Sequence, residues 1–263
     1  MFKIGIIGVG NMGEAILKGL LKNIKPDDII VSDASQERLE YIINKYGVAG
    51  TDNNKRVASL SEVIFLVVKP KDVEKVLKDI GKSLKNKILV SSVAGLKIEK
   101  IKEFADGYIV RIMPNTPALV GESATGVSFD ENFPQEREDE VLKLINSFGK
   151  AVVVSEDLMD AITGLSGSGP AYVLTFIDGL AQAGVKQGLN YQQALDLAIQ
   201  TVLGTAKLLI ETKEHPAVLR DKVTSPAGTT IYGLHELEKG KIKDTVINAV
   251  EAATKRSKEL SGE

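Results

Sequence analysis

The sequence predicts a doubly wound α/β domain over residues 1–157 and an all-α helical domain over residues 158–263. Three observations carry that division. Short β-branched runs alternate with helical stretches in the first part, a glycine-rich turn closes the first run, and strand-like runs stop after Asp157.

The apolar runs fall at residues 4–7, 29–31, 63–68, 88–90, 108–113 and 151–154. Runs this short and continuous suit strands buried on both faces, as in a parallel sheet covered by helices. Helical spacing fills the intervals, for example at 12–23, 37–45 and 73–80. After Asp157 the apolar period becomes 3.6 residues, over 158–187, 191–212, 217–223, 230–239 and 242–260. Tyr172, Val173, Leu174, Phe176, Ile177, Leu180 and Val185 cover more than one face of a single helix. A bundle of about 100 residues has little interior to hide such faces, so the surplus predicts association with a second copy.

Composition removes whole classes of chemistry. With no Cys and only His215 and His235, there is no thiol nucleophile, no thiolate metal centre and no three-histidine site, so no metal is expected. His215 precedes Pro216 at a helix start and His235 lies mid-helix, and neither pattern points to catalysis. Lys and Arg number 33 against 35 Asp and Glu, without a basic block, so no nucleic-acid partner is expected. The longest uncharged stretch, residues 161–177, is interrupted by three Gly and a Pro, so no membrane span is expected either. A cysteine-free chain fits a reducing cytoplasm.

Gly8-Val9-Gly10-Asn11-Met12-Gly13 reads G-x-G-x-x-G between a β-branched run and an amphipathic helix. In that setting the hexad is a dinucleotide-binding fingerprint of the Rossmann type. Gly8 permits the tight turn, Gly10 lets a pyrophosphate approach the backbone, and Gly13 lets helix and strand pack closely. Asn11 and Met12 open the helix whose positive end would hold the diphosphate. Asp33 stands 20 residues beyond Gly13, where an acidic residue takes the ribose 2′-hydroxyl of NAD. Ser32 and Ser35 could instead donate to the 2′-phosphate of NADP, with Arg38 in reach, or the segment could simply cap a helix. Both cofactors stay open at this point. Val68-Lys69-Pro70 ends a strand on the ligand-binding edge, and Ala94 and Gly95 end the next with room for a nicotinamide ring.

Two segments stand out in the helical half. Residues 164–172 place three Gly and a Pro inside a helical stretch, which predicts a helix break with close backbone packing. Thr224-Ser225-Pro226-Ala227-Gly228-Thr229-Thr230 reads as a helix start, with Ser225 as cap and Pro226 at the first helical position. Its Gly and Thr amides and hydroxyls form a nest suited to a carboxylate, though a plain capped turn has the same sequence.

Taken together, residues 8–13, 68–70, 111–117, 163–172, 184–186, 215–216 and 221–230 resemble pyrroline-5-carboxylate reductase over nearly the whole chain. The strings MPNTPALVGE, ITGLSGSGPAY and DKVTSPAGTT carry most of the specificity. The resemblance implies a dinucleotide-binding domain followed by a helical dimerisation domain, in a homodimer that can build larger rings. It implies reduction of 1-pyrroline-5-carboxylate to L-proline by NADPH, with NADH possible. By motif match, Gly228, Thr229 and Thr230 meet the substrate carboxylate with Ser225 nearby, and Glu156 and Thr163 stand near the substrate. Thr163 is expected to hydrogen-bond the ring nitrogen as the catalytic residue. Asn54, Val67, Val68, Lys69, Pro70, Ala94 and Gly95 match cofactor-contacting positions. Ala227 replaces a glycine of the usual pattern, and alanine there predicts ordinary helical φ.

A β-hydroxyacid dehydrogenase shares this two-part build, but it carries a catalytic Lys after a Gly-x-Gly in the first long helix. Here Pro170-Ala171-Tyr172-Val173-Leu174 follow, without Lys. A nucleotide-sensing protein that has lost turnover is the non-enzymatic alternative, against which the intact 224–230 segment argues.

Overall fold

A computed structural model describes residues 2–262. In chain order the first part comprises β1 (Phe2–Ile7), α1 (Asn11–Leu20), β2 (Ile29–Ser32), α2 (Gln36–Tyr46), β3 (Ala49–Gly50), α3 (Asn54–Leu60) and β4 (Ser61–Leu66). It continues with α4 (Pro70–Ile80), β5 (Ile88–Ser91), α5 (Ile98–Lys102), β6 (Tyr108–Met113), β7 (Ser123–Phe129), α6 (Gln135–Asn146) and β8 (Gly149–Val153). Then come α7 (Met159–Ile162), α8 (Gly169–Lys186), α9 (Tyr191–Thr212), α10 (Pro216–Lys222), α11 (Thr229–Lys239) and α12 (Ile242–Ser261).

The strands form one sheet in the order β3-β2-β1-β4-β5-β6-β7-β8, parallel except where β7 runs against β6. The first six strands thus have the Rossmann order, and the chain reverses direction across the sheet between β1 and β4. Within β4, Val63 and Phe65 join one core while Ile64 and Leu66 join the other. Helices α1, α2 and α6 cover the first face through Ile16, Leu20, Ile42 and Ile145, and α3, α4 and α5 cover the second through Val57, Leu77 and Ile101. Two covered faces explain why these strands read as unbroken apolar runs rather than as alternation.

The strand β7 has no counterpart in the sequence reading. Ser123, Thr125 and Ser128 interrupt its apolar signal, yet all three are buried. The hydroxyls of Ser123 and Thr125 meet inside the sheet at 2.8 Å. The helix expected over 158–187 is also divided. A π-helical turn, Thr163–Gly167, separates α7 from α8, closed by the Ser168 amide donating to the Thr163 carbonyl at 2.9 Å. Gly164 and Gly167 therefore lie in a widened turn rather than a break, and Pro170 falls in the first turn of α8.

By compactness the residues up to Ser168, with those from Ala252 onward, make one unit, and Gly169–Glu251 make the other. The last strand, β8, ends at Val153. In the second unit, among the described residues, only Ala181, Ala194 and Ala198 are buried. Leu174 on α8, Ile210 on α9 and Tyr232 on α11 are each more than 60% exposed. No helix among the described residues is long and apolar enough to cross a membrane.

Candidate functional site

The glycine turn links β1 to α1. Gly8 has φ +92°, a left-handed backbone that glycine adopts freely, and a Cβ there would stand 2.5 Å from the Val67 carbonyl oxygen. A Cβ on Gly13 would lie 2.1 Å from the Gly8 carbonyl oxygen, so helix and turn touch backbone to backbone. Gly10 differs: it is exposed, and an added Cβ would meet nothing within 4 Å. It is also the N-cap of α1, with no side chain capping the helix. Open space in front of uncapped amides at a helix N-terminus is the cradle a dinucleotide pyrophosphate requires, so these residues fit the cofactor. Asn11 is exposed and Met12 half-buried at the mouth of the turn.

The end of β2 closes one side. Asp33 Oδ2 accepts from the Val9 amide at 2.8 Å and Oδ1 from the Ser35 amide at 2.9 Å. The buried Ser32 donates its hydroxyl to Asn54 Oδ1 at 2.8 Å, joining two positions expected at the cofactor. Ser35 Oγ caps α2 by accepting from the Arg38 amide. Arg38 is turned back on the glycine turn: its Nε donates to the Val9 carbonyl at 2.7 Å, and its Nη2 to the Gly10 carbonyl and the Glu14 carboxylate.

Glu14 also accepts from Lys45 Nζ at 3.0 Å and from the Tyr46 hydroxyl at 2.8 Å. Burial pushes its carboxyl up, but the hydrogen bonds from Lys45, Tyr46 and Arg38, with the Arg38 charge, outweigh burial and hold it at about 2. The folded value lies below the ordinary 4.5, so the stability it lends is present above pH 4.5 and lost as pH falls toward 2. A shift of that size corresponds to about 3 kcal/mol. Thermal melts of the native chain and of Glu14→Gln from pH 6 to pH 3 are expected to converge as pH falls. A constant gap would contradict this role.

Along the ligand-binding edge, the Val67 amide donates to the Ile7 carbonyl at 2.8 Å, which fixes the end of β4 against the glycine turn. Val68 is half-buried, and Lys69 is exposed as the N-cap of α4, with Pro70 at its first position. Ala94 is exposed after β5, and Gly95 has φ +72°, a left-handed turn that glycine favours.

Glu156 lies in the first turn after β8. Its Oε1 accepts from the Ile98 amide at 2.7 Å, at the start of α5, and from Arg111 Nη1 at 3.1 Å. Arg111 projects from β6 with its side chain 3% exposed, and its Nε is buried with no hydrogen-bond partner among the described residues. Glu156 also borders a hollow of about 830 Å³ whose wall includes Glu99, Asp130, Glu138 and Asp157. Such a wall repels a carboxylate, so the hollow does not suit an anionic ligand. Thr163 is half-buried in the π-helical turn, and its hydroxyl donates to the Met159 carbonyl at 2.9 Å.

The 224–230 segment departs from two sequence expectations. Helix α11 begins at Thr229 rather than at Pro226, with Gly228 as its N-cap. Ser225 to Gly228 form a β-turn closed by the Gly228 amide donating to the Ser225 carbonyl at 3.1 Å. Pro226 holds the second position of that turn and Ala227 the third, with φ +57°. This is the type II pattern, which favours proline and then glycine, so the helical φ expected for Ala227 is overturned. A Cβ on Gly228 would stand 2.1 Å from Ser225 Oγ, so the turn packs against its own serine. The Gly228 amide is used inside the turn, while no side chain caps the amides of Thr229 and Thr230. Two uncapped amides and two hydroxyls at the start of an eleven-residue helix make an anion-binding end. His215 behaves as read from sequence: its Nδ1 accepts from the Ala217 amide at 3.2 Å and caps α10.

The chain is similar to known proteins over nearly its whole length. The family described as "Pyrroline-5-carboxylate reductase dimerisation" matches residues 156–260, and "NADP oxidoreductase coenzyme F420-dependent" matches residues 3–95. A pyrroline-5-carboxylate reductase of Arabidopsis thaliana is 44% identical over 99% of this chain and 96% of its own length. One from Escherichia coli is 39% identical over 98% of each chain. Among solved structures, the pyrroline-5-carboxylate reductase of Coxiella burnetii superposes with a TM-score of 0.94 at 34% identity, covering 98% of both chains. That of Plasmodium falciparum, with NADP bound, gives 0.87 at 35% identity and covers 99% of this chain and 98% of its own.

Proposed function

The chain belongs to the pyrroline-5-carboxylate reductase family, and on that premise we propose which of its residues carry the reaction. The activity is reduction of 1-pyrroline-5-carboxylate to L-proline with NAD(P)H, a step of proline biosynthesis. The observation that carries this reading is the glycine turn, where Gly8 and Gly13 are held by backbone contacts and Gly10 alone faces open space.

When bound, the reduced nicotinamide supplies the hydride that converts the protonated cyclic imine to the amine. Gly8, Gly10, Asn11, Met12 and Gly13 hold the pyrophosphate, and Ser32, Asp33 and Asn54 hold the adenosine end. Val67, Val68, Lys69 and Pro70, with Ala94 and Gly95, frame the nicotinamide end. Thr229 and Thr230 hold the substrate carboxylate through their amides and hydroxyls, and Ser225 and Gly228 shape the turn that leaves those amides uncapped.

Thr163 acts as acceptor rather than acid. Its hydroxyl hydrogen is committed to Met159, so its oxygen offers lone pairs, and a protonated imine presents an N–H. Holding that N–H favours the cationic form, which is the better hydride acceptor, and the chain needs no strong base. Glu156 serves as a positioning residue, fixing Arg111 and the first turn of α5.

Homo-oligomerisation follows from the dimerisation family matched over 156–260. We take the functional unit to be a homodimer in the cytoplasm, from which larger rings can be built. The exposed apolar faces of α8 and α9 support the dimer, because a unit with three buried alanines has no core of its own.

Thr230→Ala tests the carboxylate assignment. Loss of one hydrogen bond to a charged group is expected to raise KM for the imine about tenfold, with kcat nearly unchanged. Steady-state kinetics at saturating cofactor read both, and an unchanged KM would remove Thr230 from the site.

A further inference from the structure

The sequence leaves NADH and NADPH open, and the contacts around the adenosine end separate them. A 2′-phosphate needs donors and a cation, since it carries close to two negative charges. Of the groups that the sequence offers for that task, Ser32 and Arg38 are already committed. Ser32 gives its hydroxyl hydrogen to Asn54, while Ser35 Oγ only accepts from the Arg38 amide and brings a neutral donor without a charge. Arg38, the sole cation among residues 29–38, is held by the Val9 and Gly10 carbonyls and by Glu14. Glu14 stays ionised, so the guanidinium is neutralised where it sits.

The Asp33 carboxylate, by contrast, is fixed by the Val9 and Ser35 amides, one on each oxygen. Each oxygen keeps a further lone pair for a ribose hydroxyl, and the pair of amides sets the direction of both. A 2′-hydroxyl finds an oriented acceptor there, and a 2′-phosphate finds a like charge. We infer that Asp33, with Arg38 held by Glu14, makes this chain prefer the dinucleotide without a 2′-phosphate, NADH over NADPH. This rests on the nicotinamide reading of the glycine turn.

Titration of the full chain with NADH and with NADPH, followed by nicotinamide fluorescence, tests it without turnover. NADH is expected to bind at least about tenfold more tightly. Asp33→Asn removes the charge and should narrow or reverse the ratio. Glu14→Gln releases Arg38 and should improve NADPH binding relative to NADH, which keeps the test alive if Asp33→Asn fails to fold. Tighter binding of NADPH by the native chain overturns the preference, and a ratio unmoved in both variants overturns the assignment to these residues. Binding of neither dinucleotide overturns the cofactor reading itself, and this inference with it.

Discussion

Gly10→Val is expected to leave the fold standing while nicotinamide binding weakens at least about a hundredfold. Gly10 has φ −61° and ψ −163°, which any residue adopts, and its Cβ direction is open for 4 Å. Valine there disturbs no packing, and a surface change of that kind stays within about 0.5 kcal/mol, or roughly 2 °C in Tm at this chain length. The same side chain fills the space through which a pyrophosphate must approach the first amides of α1. Gly13→Ala makes the contrast, because its Cβ would collide with the Gly8 carbonyl at 2.1 Å and displace α1. The two variants thus separate ligand space from packing space within one hexad. Native-like binding by a folded Gly10→Val chain would contradict the placement of the pyrophosphate.

Arg111→Met is expected to cost about 3 kcal/mol of stability, near the lower end for breaking a buried ion pair. At this chain length that corresponds to a fall in Tm of roughly 6–12 °C. The guanidinium is 3% exposed and the Glu156 side chain 28% exposed, so the carboxylate left behind is only partly hydrated. Methionine keeps most of the volume, which confines the effect to charge and hydrogen bonding. The sign of the coupling is the sharper test. Adding Glu156→Gln removes the orphaned charge and should recover part of the loss, so the double variant melts above the single one. A single variant that melts with the native chain would show that the pair holds nothing.

Much of the first domain was legible because its strands are covered on both faces, and continuous apolar runs announce that environment. The strand β7 was hidden for the opposite reason. Its buried positions include Ser123, Thr125 and Ser128, which contribute no apolar signal, and the first two hydrogen-bond each other. The 224–230 segment was legible as a turn leading into a helix, but not where that helix begins. Ser-Pro suits a helix start and the first half of a β-turn equally well, and only the closing bond from Gly228 to Ser225 decides between them. Ala227 then occupies a left-handed position that its side chain disfavours.

The Glu14–Arg38 and Arg111–Glu156 pairs lie 24 and 45 residues apart. No local pattern encodes such partners; the crossing of strands and helices brings them together. Arg38 shows the consequence. From sequence it was a candidate for the 2′-phosphate, and in the fold it braces the glycine turn.

Mixing the purified full chain with 1-pyrroline-5-carboxylate and either NADH or NADPH, then following nicotinamide absorbance and proline together, tests the reductase activity itself. Oxidation of the cofactor is expected, with one proline formed for each nicotinamide consumed. Absence of turnover with both cofactors, from a chain that is folded and binds dinucleotide, would contradict it.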